Sequence, residues 1–175
     1  FKPRERTLTP EEIGLFFRTL DAIGAMGTMK MALKLVLITM VRKGEFTNAT
    51  WDEIDFKKWT WTIPSDRMKG SRAHVIYLPK QAQDILVGLQ MCAGGSEYLV
   101  PGRYNFRKPL SNAALNSLID RTVKIINEDG EHIQDFTVHD MRRTASTLLH
   151  EAGYPSDWIE KALAHEQKGV RAVYN

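Results

Sequence analysis

The chain has 175 residues, 43% of them hydrophobic, and 24 Lys/Arg against 21 Asp/Glu give a formal net charge of only +3. This length allows one domain with a substantial core, and no apolar run approaches the roughly 20 residues of a membrane-spanning helix. The single cysteine, Cys92, excludes an internal disulfide and a cysteine-based zinc site, so we expect a reducing, cytoplasmic location.

The basic residues are concentrated in one part of the chain. Residues 30–80 carry ten Lys/Arg against five Asp/Glu, a net charge of +5 that exceeds that of the whole chain. A local basic surface suits a protein that binds a phosphate backbone, although an ordinary solvated face has a similar composition. The chain begins with Phe1 and shows no signal-peptide pattern, so we expect a fragment of a longer protein.

The first half of the chain predicts two helices followed by a β-hairpin. LTPEEIGLFFRTL has Thr9 as N-cap and Pro10 at the first helical position. TMKMALKLVLITMVR is apolar on nearly every side, which predicts a central, buried helix that ends near Lys43 and Gly44. KKWTWTIP and AHVIYLP are β-branched and aromatic, and we expect the basic segment SDRMKGSR to join them as a hairpin.

The second half is predicted to be mainly helical. KQAQDILVGLQMC reads as a helix closed by Gly94 and Gly95, EYLVP as one more short strand, and SNAALNSLIDRTVKIIN as a helix capped by Ser111. VHDMRRTASTLLHEAG follows with Thr137 as its N-cap. Pro155 opens the next helix, and a short final helix carries VRAVYN. The expected fold class is therefore α+β, mainly helical, with a small antiparallel sheet.

A histidine and an arginine near the start of one helix form the first candidate anion site. His139 and Arg142 are three residues apart, which places them one turn apart on one helical face. The free N–H groups and the dipole of a helix N-terminus favour an anion, so a phosphate is a plausible ligand. An exposed polar first turn explains the same residues equally well.

Five further residues are ambiguous singly and informative together. Arg42 follows the apolar helix, Lys69 lies in the hairpin connection, and His165 and Tyr174 lie near the end of the chain. Each also has a structural explanation: a helix-end arginine, an exposed turn lysine, a helix-end histidine, or a tyrosine packed inward beside Val170 and Val173. His74 is equally well explained by packing across the hairpin.

The combined set suits attack on a phosphodiester without a metal ion. Two arginines can neutralise the charge of the pentacoordinate phosphorus, and a lysine can donate the proton that the leaving 5′-oxygen needs. A tyrosine has a pKa near 10, so as a nucleophile it requires a nearby base. No paired carboxylates at metal-ligand spacing, Gly-rich phosphate loop or Ser-His-Asp order stands out, and we expect neither a metal nor a cofactor.

This order of residues resembles the catalytic domain of the tyrosine recombinases, the phage-integrase family, in the branch carried by prophages and genomic islands. The resemblance extends from about Leu8 to the end of the chain. It rests on MVRKGE, RMKGSRAH, HDMRRTASTLLHEAG, LAH and VRAVYN. It implies that six residues are catalytic, the last as nucleophile: Arg42, Lys69, His139, Arg142, His165 and Tyr174.

The resemblance also implies a partner and an assembly. Double-stranded DNA at attachment sites is the expected substrate, in the bacterial cytoplasm, with a homotetramer on DNA and a monomer for the isolated chain. The family's N-terminal DNA-clamping domain and the tail beyond the tyrosine are not found, so we expect residues 1–175 to be the catalytic domain alone, with weak DNA binding. The residues expected to contact DNA are Lys30, Lys43, Arg67, Arg72, His74, Arg103, Arg107, Lys108 and Arg143.

Two positions depart from the family pattern. Many members have glycine where this chain has Met40, two places before the first arginine, and where it has Ala164, just before the histidine. Both affect the backbone and leave the chemistry intact. Three alternatives remain open from the sequence: a type IB topoisomerase that reseals the same strand, a DNA-binding module without catalysis, and a helical interaction domain whose matches are coincidental.

Overall fold

The computed structural model describes residues 6–68, 70 and 72–165. In that part of the chain the α-helices are α1 (Pro10–Ala22), α2 (Gly27–Thr39), α3 (Lys43–Thr47), α4 (Lys80–Cys92), α5 (Ala114–Glu128), α6 (Val138–Glu151) and α7 (Ser156–Ala162). The strands are β1 (Ile54–Asp55), β2 (Thr60–Ile63), β3 (His74–Tyr77), β4 (Pro101–Gly102) and β5 (Asn105–Pro109). The expected α+β, mainly helical architecture is confirmed.

Helix α2 is the centre of the molecule. It packs against α4, α5 and α6, while α1 packs against α5. Leu33, Leu35 and Val36 of α2 are completely buried, and the main core includes the large side chains of Phe16 and Trp61. The central position predicted for this helix is therefore correct, because its apolar residues face neighbours on several sides.

The predicted end of α2 is wrong. The helix stops at Thr39, because Met40 takes a left-handed conformation with φ 54° and its N–H closes the helix on the carbonyl of Val36. The chain then turns and starts the short helix α3, whose N-cap is Arg42. Arg42 therefore begins a helix, although the sequence places it at the end of one.

The predicted hairpin is present and belongs to a three-stranded antiparallel sheet in the order β1-β2-β3. Its register pairs Thr60 with Tyr77 and Ile63 with His74. The connection between the strands is the segment 64–73, which contains a 3-10 turn at Ser65–Arg67. The hairpin thus places Arg67 within this connection and His74 directly after it.

Two local predictions in the second half are corrected. Tyr98 of the predicted strand EYLVP forms only an isolated bridge with Thr50, and the paired strands lie further on, as the hairpin β4–β5. The N-cap of α5 is Ala113, and no side chain caps this helix; Ser111 contributes its carbonyl to the N–H of Ala114. No helix in the described part of the chain is both long enough and apolar enough to span a membrane.

Candidate functional site

Helix α6 is fixed at its N-terminus, which determines where Arg142 lies. Thr137, the predicted N-cap, forms a capping box with Asp140, whose carboxylate accepts from the Thr137 N–H at 2.9 Å. Thr144 further along the helix accepts the N–H of Leu8 at 2.9 Å, which attaches the segment before α1. Arg142 is therefore carried by a helix with buried polar anchors on either side of it.

The guanidinium group of Arg142 joins the ends of two other helices. Its Nη1 donates to the carbonyl of Met40, the residue that follows α2. Its Nη2 donates to the carbonyl of Leu163, the C-cap of α7, at 2.5 Å. Only 6% of the residue is exposed. Burial, with the nearby charge of Arg42, lowers the pKa of Arg142 to about 10, so the group remains charged at neutral pH.

Arg42, whose charge acts on Arg142, is held by a buried carboxylate. Glu45 accepts the backbone N–H of Arg42 at 2.8 Å and its Nη1 at 2.7 Å. The side chain of Glu45 is 6% exposed, whereas that of Arg42 is 33% exposed. Glu45 therefore holds the arginine while part of its guanidinium faces solvent, and the carboxylate also offsets the charge of Arg142.

His74 connects the hairpin to the same region. Its Nε2 lies 3.1 Å from the carbonyl of Ala162, in the last turn of α7. Burial lowers the pKa of His74 from 6.5, so the ring is neutral at pH 7 and Nε2–H acts as the donor. The last turn of α7 is thus held at two consecutive carbonyls, those of Ala162 and Leu163, by His74 and Arg142.

The two other candidate histidines are exposed. His165 follows this turn, and its Nδ1 lies 2.7 Å from a carboxylate oxygen of Glu160. His139 is in the first turn of α6, one turn before Arg142, and its residue is exposed. Lys69 and Tyr174 lie outside the described residues.

Several of the residues expected to contact DNA have partners within the protein, among them Lys30, Arg67 and His74. Lys30 donates to the carbonyls of Asp21 and Ile23 at the end of α1, at 2.8 Å each. Arg67 pairs with Glu53 and donates to the carbonyl of Glu45. His74 bonds to the carbonyl of Ala162.

The remaining residues of that set lie at or near the surface. Lys43 and Arg143 are half-buried and Arg72 is exposed. Arg103, Arg107 and Lys108 are exposed on the hairpin β4–β5 and its turn, where Arg103 lies over the ring of Tyr104 and Arg107 over that of Phe106. This hairpin, missed from the sequence, presents three cations and two aromatic rings to solvent.

Sequence reasoning also missed the buried carboxylate of Glu53. Its Oε2 accepts from Trp61 Nε1 at 2.9 Å, and its Oε1 pairs with Arg67. The spacing of Glu45, three residues after Arg42, was a sequence signal that the two residues interact. Nothing local distinguishes Glu53 from its acidic neighbours in WDEID. Within the described residues, no group of three or more His, Cys, Asp or Glu side chains is arranged to hold a metal ion.

Comparison with known proteins identifies a family and a fold. The model of the phage integrase family matches residues 6–175. The prophage integrases IntZ and IntA of Escherichia coli strain K12 are 35% and 32% identical, over 94% and 99% of this chain. The matches cover 39% and 41% of those proteins, so the chain spans about two fifths of their length.

A solved structure has the same architecture. The integrase of transposon Tn1549, residues 82–397, in complex with circular intermediate DNA, superposes with a TM-score of 0.78 at 15% identity. The superposition covers 98% of this chain and 64% of that one. The likeness shows a shared fold.

Proposed function

Because the chain belongs to the phage integrase family, we propose that residues 1–175 form the catalytic domain of a site-specific recombinase that cuts and rejoins double-stranded DNA. The proposed role is integration and excision of a prophage-type element in the bacterial cytoplasm, by a homotetramer assembled on DNA. The observation that carries the proposal is that Arg142 is buried, charged and bound to the carbonyl of Met40, two residues before Arg42. Two guanidinium groups in one region suit the two non-bridging oxygens of a phosphodiester.

In the proposed reaction a nearby base, one of the candidate histidines, takes the proton of Tyr174, and the Tyr174 oxygen attacks the phosphorus. The P–O5′ bond breaks, a 3′-phosphotyrosine forms, and Lys69 donates the proton to the leaving 5′-oxygen. A 5′-hydroxyl of a second DNA strand then attacks the phosphotyrosine, releases Tyr174 and restores a phosphodiester. One ester replaces another at each step, so no ATP is consumed.

In this proposal the other candidate residues act around the phosphate. Arg42 and Arg142 neutralise the charge that builds up on the non-bridging oxygens. His139 and His165 contribute proton transfer and hydrogen bonding to the same oxygens, since an imidazole ring can both donate and accept a hydrogen bond. The exposure of His165 and of part of Arg42 is consistent with groups that bind a ligand from solvent.

The family relationship favours recombination over the alternatives. Both relatives are named prophage integrases, which favours exchange between DNA molecules over relaxation of one duplex by a type IB topoisomerase. A non-catalytic DNA-binding module would have no need for the six candidate residues that this chain retains.

A suicide DNA substrate, nicked so that the cleaved end is lost, tests the proposal. The expected result is a covalent protein–DNA adduct on a denaturing gel, formed by the wild-type protein and not by Tyr174→Phe. Tyr154→Phe is the matched control, because Tyr154 is an exposed tyrosine between α6 and α7 and should not affect the adduct. An adduct with Tyr174→Phe, or none with wild type, would contradict the proposed function.

A further inference from the structure

Arg67 lies in the hairpin connection and faces the protein. Its Nη2 donates to the carbonyl of Glu45, and its Nη1 pairs with the carboxylate of Glu53. The side chain of Arg67 is 20% exposed and that of Glu53 only 6%. A charged side chain with two internal partners and little exposure is poorly placed to neutralise a phosphate in solution.

The carboxylate of Glu53 is itself held in the core. It accepts from Nε1 of Trp61, which is completely buried, at 2.9 Å, and from the hydroxyl of Thr50 at 3.4 Å. A buried carboxylate with one cationic partner keeps that cation in place, since separating them leaves an uncompensated charge. Glu53 therefore fixes the position of the Arg67 guanidinium.

The other end of this network is Arg42. Arg67 holds the backbone carbonyl of Glu45, and the side chain of Glu45 in turn accepts both the backbone N–H and the Nη1 of Arg42. Arg67, in the hairpin connection, therefore fixes the main chain of Glu45, and the Glu45 carboxylate is held on Arg42. Its residue is 6% exposed, so solvent offers no substitute partner.

We infer that Arg67, anchored by Glu53, is a positioning residue that holds Arg42 in place through Glu45. The inference replaces the role in DNA contact expected for Arg67 from the sequence. The inference deepens the proposed function. Its cleavage measurement rests on that function, whereas its hydrogen-exchange measurement does not depend on activity. Arg72, on the same hairpin connection but exposed, retains the expected role in DNA contact.

The test uses Arg67→Met combined with Glu53→Gln. The single variant Arg67→Met leaves a buried carboxylate unpaired and endangers folding. In the double variant, the amide oxygen of Gln still accepts from Trp61, while the Glu45 carbonyl has lost its donor. Glu53→Gln alone is the reference, and Arg72→Met is the matched control on the same connection.

The structural measurement is hydrogen exchange of the Arg42 amide, which donates to Glu45. We expect this exchange to be roughly tenfold faster in the double variant than in Glu53→Gln, because the acceptor is no longer held. Arg72→Met should leave it unchanged. Unchanged exchange in the double variant would overturn the inference, whatever the protein's activity.

The cleavage measurement separates positioning from DNA contact. In the double variant we expect the rate of adduct formation to fall by about 10 to 100-fold at unchanged DNA affinity. A methylphosphonate at the cleaved position lacks one negative oxygen, so its cleavage depends less on charge neutralisation by Arg42. On this substrate the double variant should lose less of its rate of adduct formation. Arg72→Met should instead weaken DNA binding.

The outcomes distinguish this inference from the proposed function. If wild type forms no adduct, the proposed function fails, while the exchange of the Arg42 amide still decides the role of Arg67. If wild type forms the adduct and the double variant loses DNA affinity but keeps its cleavage rate, then Arg67 contacts DNA and the inference is wrong. Equal loss of rate on the phosphodiester and the methylphosphonate would also contradict it.

Discussion

Met40 and Ala164 both adopt left-handed backbone conformations, with φ of 54° and 50°, and Arg142 bonds to the turns in which they lie. The guanidinium group binds the carbonyl of Met40 itself and that of Leu163, the residue before Ala164. Met40 and Ala164 are the two positions at which the resemblance to the family predicts glycine. The turns therefore present carbonyls to Arg142 at the cost of two residues in a conformation that disfavours side chains.

The two positions should respond differently to glycine. Ala164→Gly relieves about 1 kcal/mol of backbone strain and loses little packing, so we expect the free energy of unfolding to change by less than about 1 kcal/mol. Met40 packs in a small cluster with Ile159 and Leu163 and is 6% exposed, so Met40→Gly should destabilise the protein by about 2 kcal/mol. Urea unfolding measures both.

A third variant separates strain from packing at Met40. Met40→Ala loses the same contacts but keeps the strained conformation, so it should be less stable than Met40→Gly. At an ordinary position inside a helix, alanine makes the protein more stable than glycine does. If alanine is the better replacement, the left-handed conformation of Met40 is not a source of strain.

Arg142→Lys should slow cleavage by about two orders of magnitude without removing the nucleophile. An ammonium group keeps the charge but cannot bind the two carbonyls and a phosphate with one planar fork. The measurement is the rate of adduct formation on the suicide substrate. Arg121→Lys, at an exposed arginine of α5, is the control and should cleave at nearly the wild-type rate. Equal rates for the two variants would show that Arg142 does not act on the phosphate.

Cleavage should not require a divalent metal. In the proposed reaction, arginines stabilise the charge that magnesium stabilises in many nucleases. The adduct should therefore form at the same rate in EDTA and in magnesium. A nuclease with a known magnesium requirement, run in parallel, establishes that the chelator is effective. A strict need for magnesium in the cleavage step would contradict the mechanism.

Stability should fall as the pH drops below about 6.5, and His74 should be one cause. Burial lowers the pKa of folded His74 below its usual 6.5; Arg142 and Arg42 lower it further, against opposing effects of the Ala162 carbonyl and Glu45. The unfolded chain therefore binds the proton first, and the stabilisation, complete above pH 6.5, is lost as the pH falls toward the folded pKa. One such group contributes a slope of up to about 1.4 kcal/mol per pH unit.

His74→Gln tests this dependence, because a glutamine amide keeps a donor for the Ala162 carbonyl and does not titrate. Urea unfolding between about pH 7 and pH 5 should show a smaller slope for this variant than for wild type. His132→Gln, at an exposed histidine, should retain the wild-type slope. An unchanged slope in His74→Gln would mean that His74 is not the responsible group.

DNA binding should be salt-dependent, with part of that dependence from the β4–β5 hairpin. Replacing Arg103, Arg107 or Lys108 by glutamine should each reduce the slope of log K against log salt by about 0.9, if each neutralises one phosphate. Lys124→Gln is the control, because Lys124 pairs with Glu128 in an acidic stretch of the chain. Binding that is insensitive to salt, or three variants with wild-type slopes, would exclude the hairpin as a phosphate-binding surface.

The sequence by itself determined the features that depend on neighbours a few residues apart. The N-caps at Thr9 and Thr137, the closure of α4 before Gly94 and the β2–β3 hairpin all follow from local signals, and the structure confirms them. The order of the candidate residues was also enough to predict the family, which the comparison confirms. The catalytic roles of these residues stay predictions.

Only the tertiary structure decided where α2 ends and which basic residues turn inward. The apolar run continues through Met40 and Val41, so nothing local ends the helix; the turn is held by Arg142, which is 102 residues away in sequence. Arg67 and His74 look like DNA-contacting residues in the sequence because they are basic and lie in a basic segment. Their partners, Glu53 and the carbonyl of Ala162, are 14 and 88 residues distant, so only the folded chain brings these hydrogen-bonding groups together.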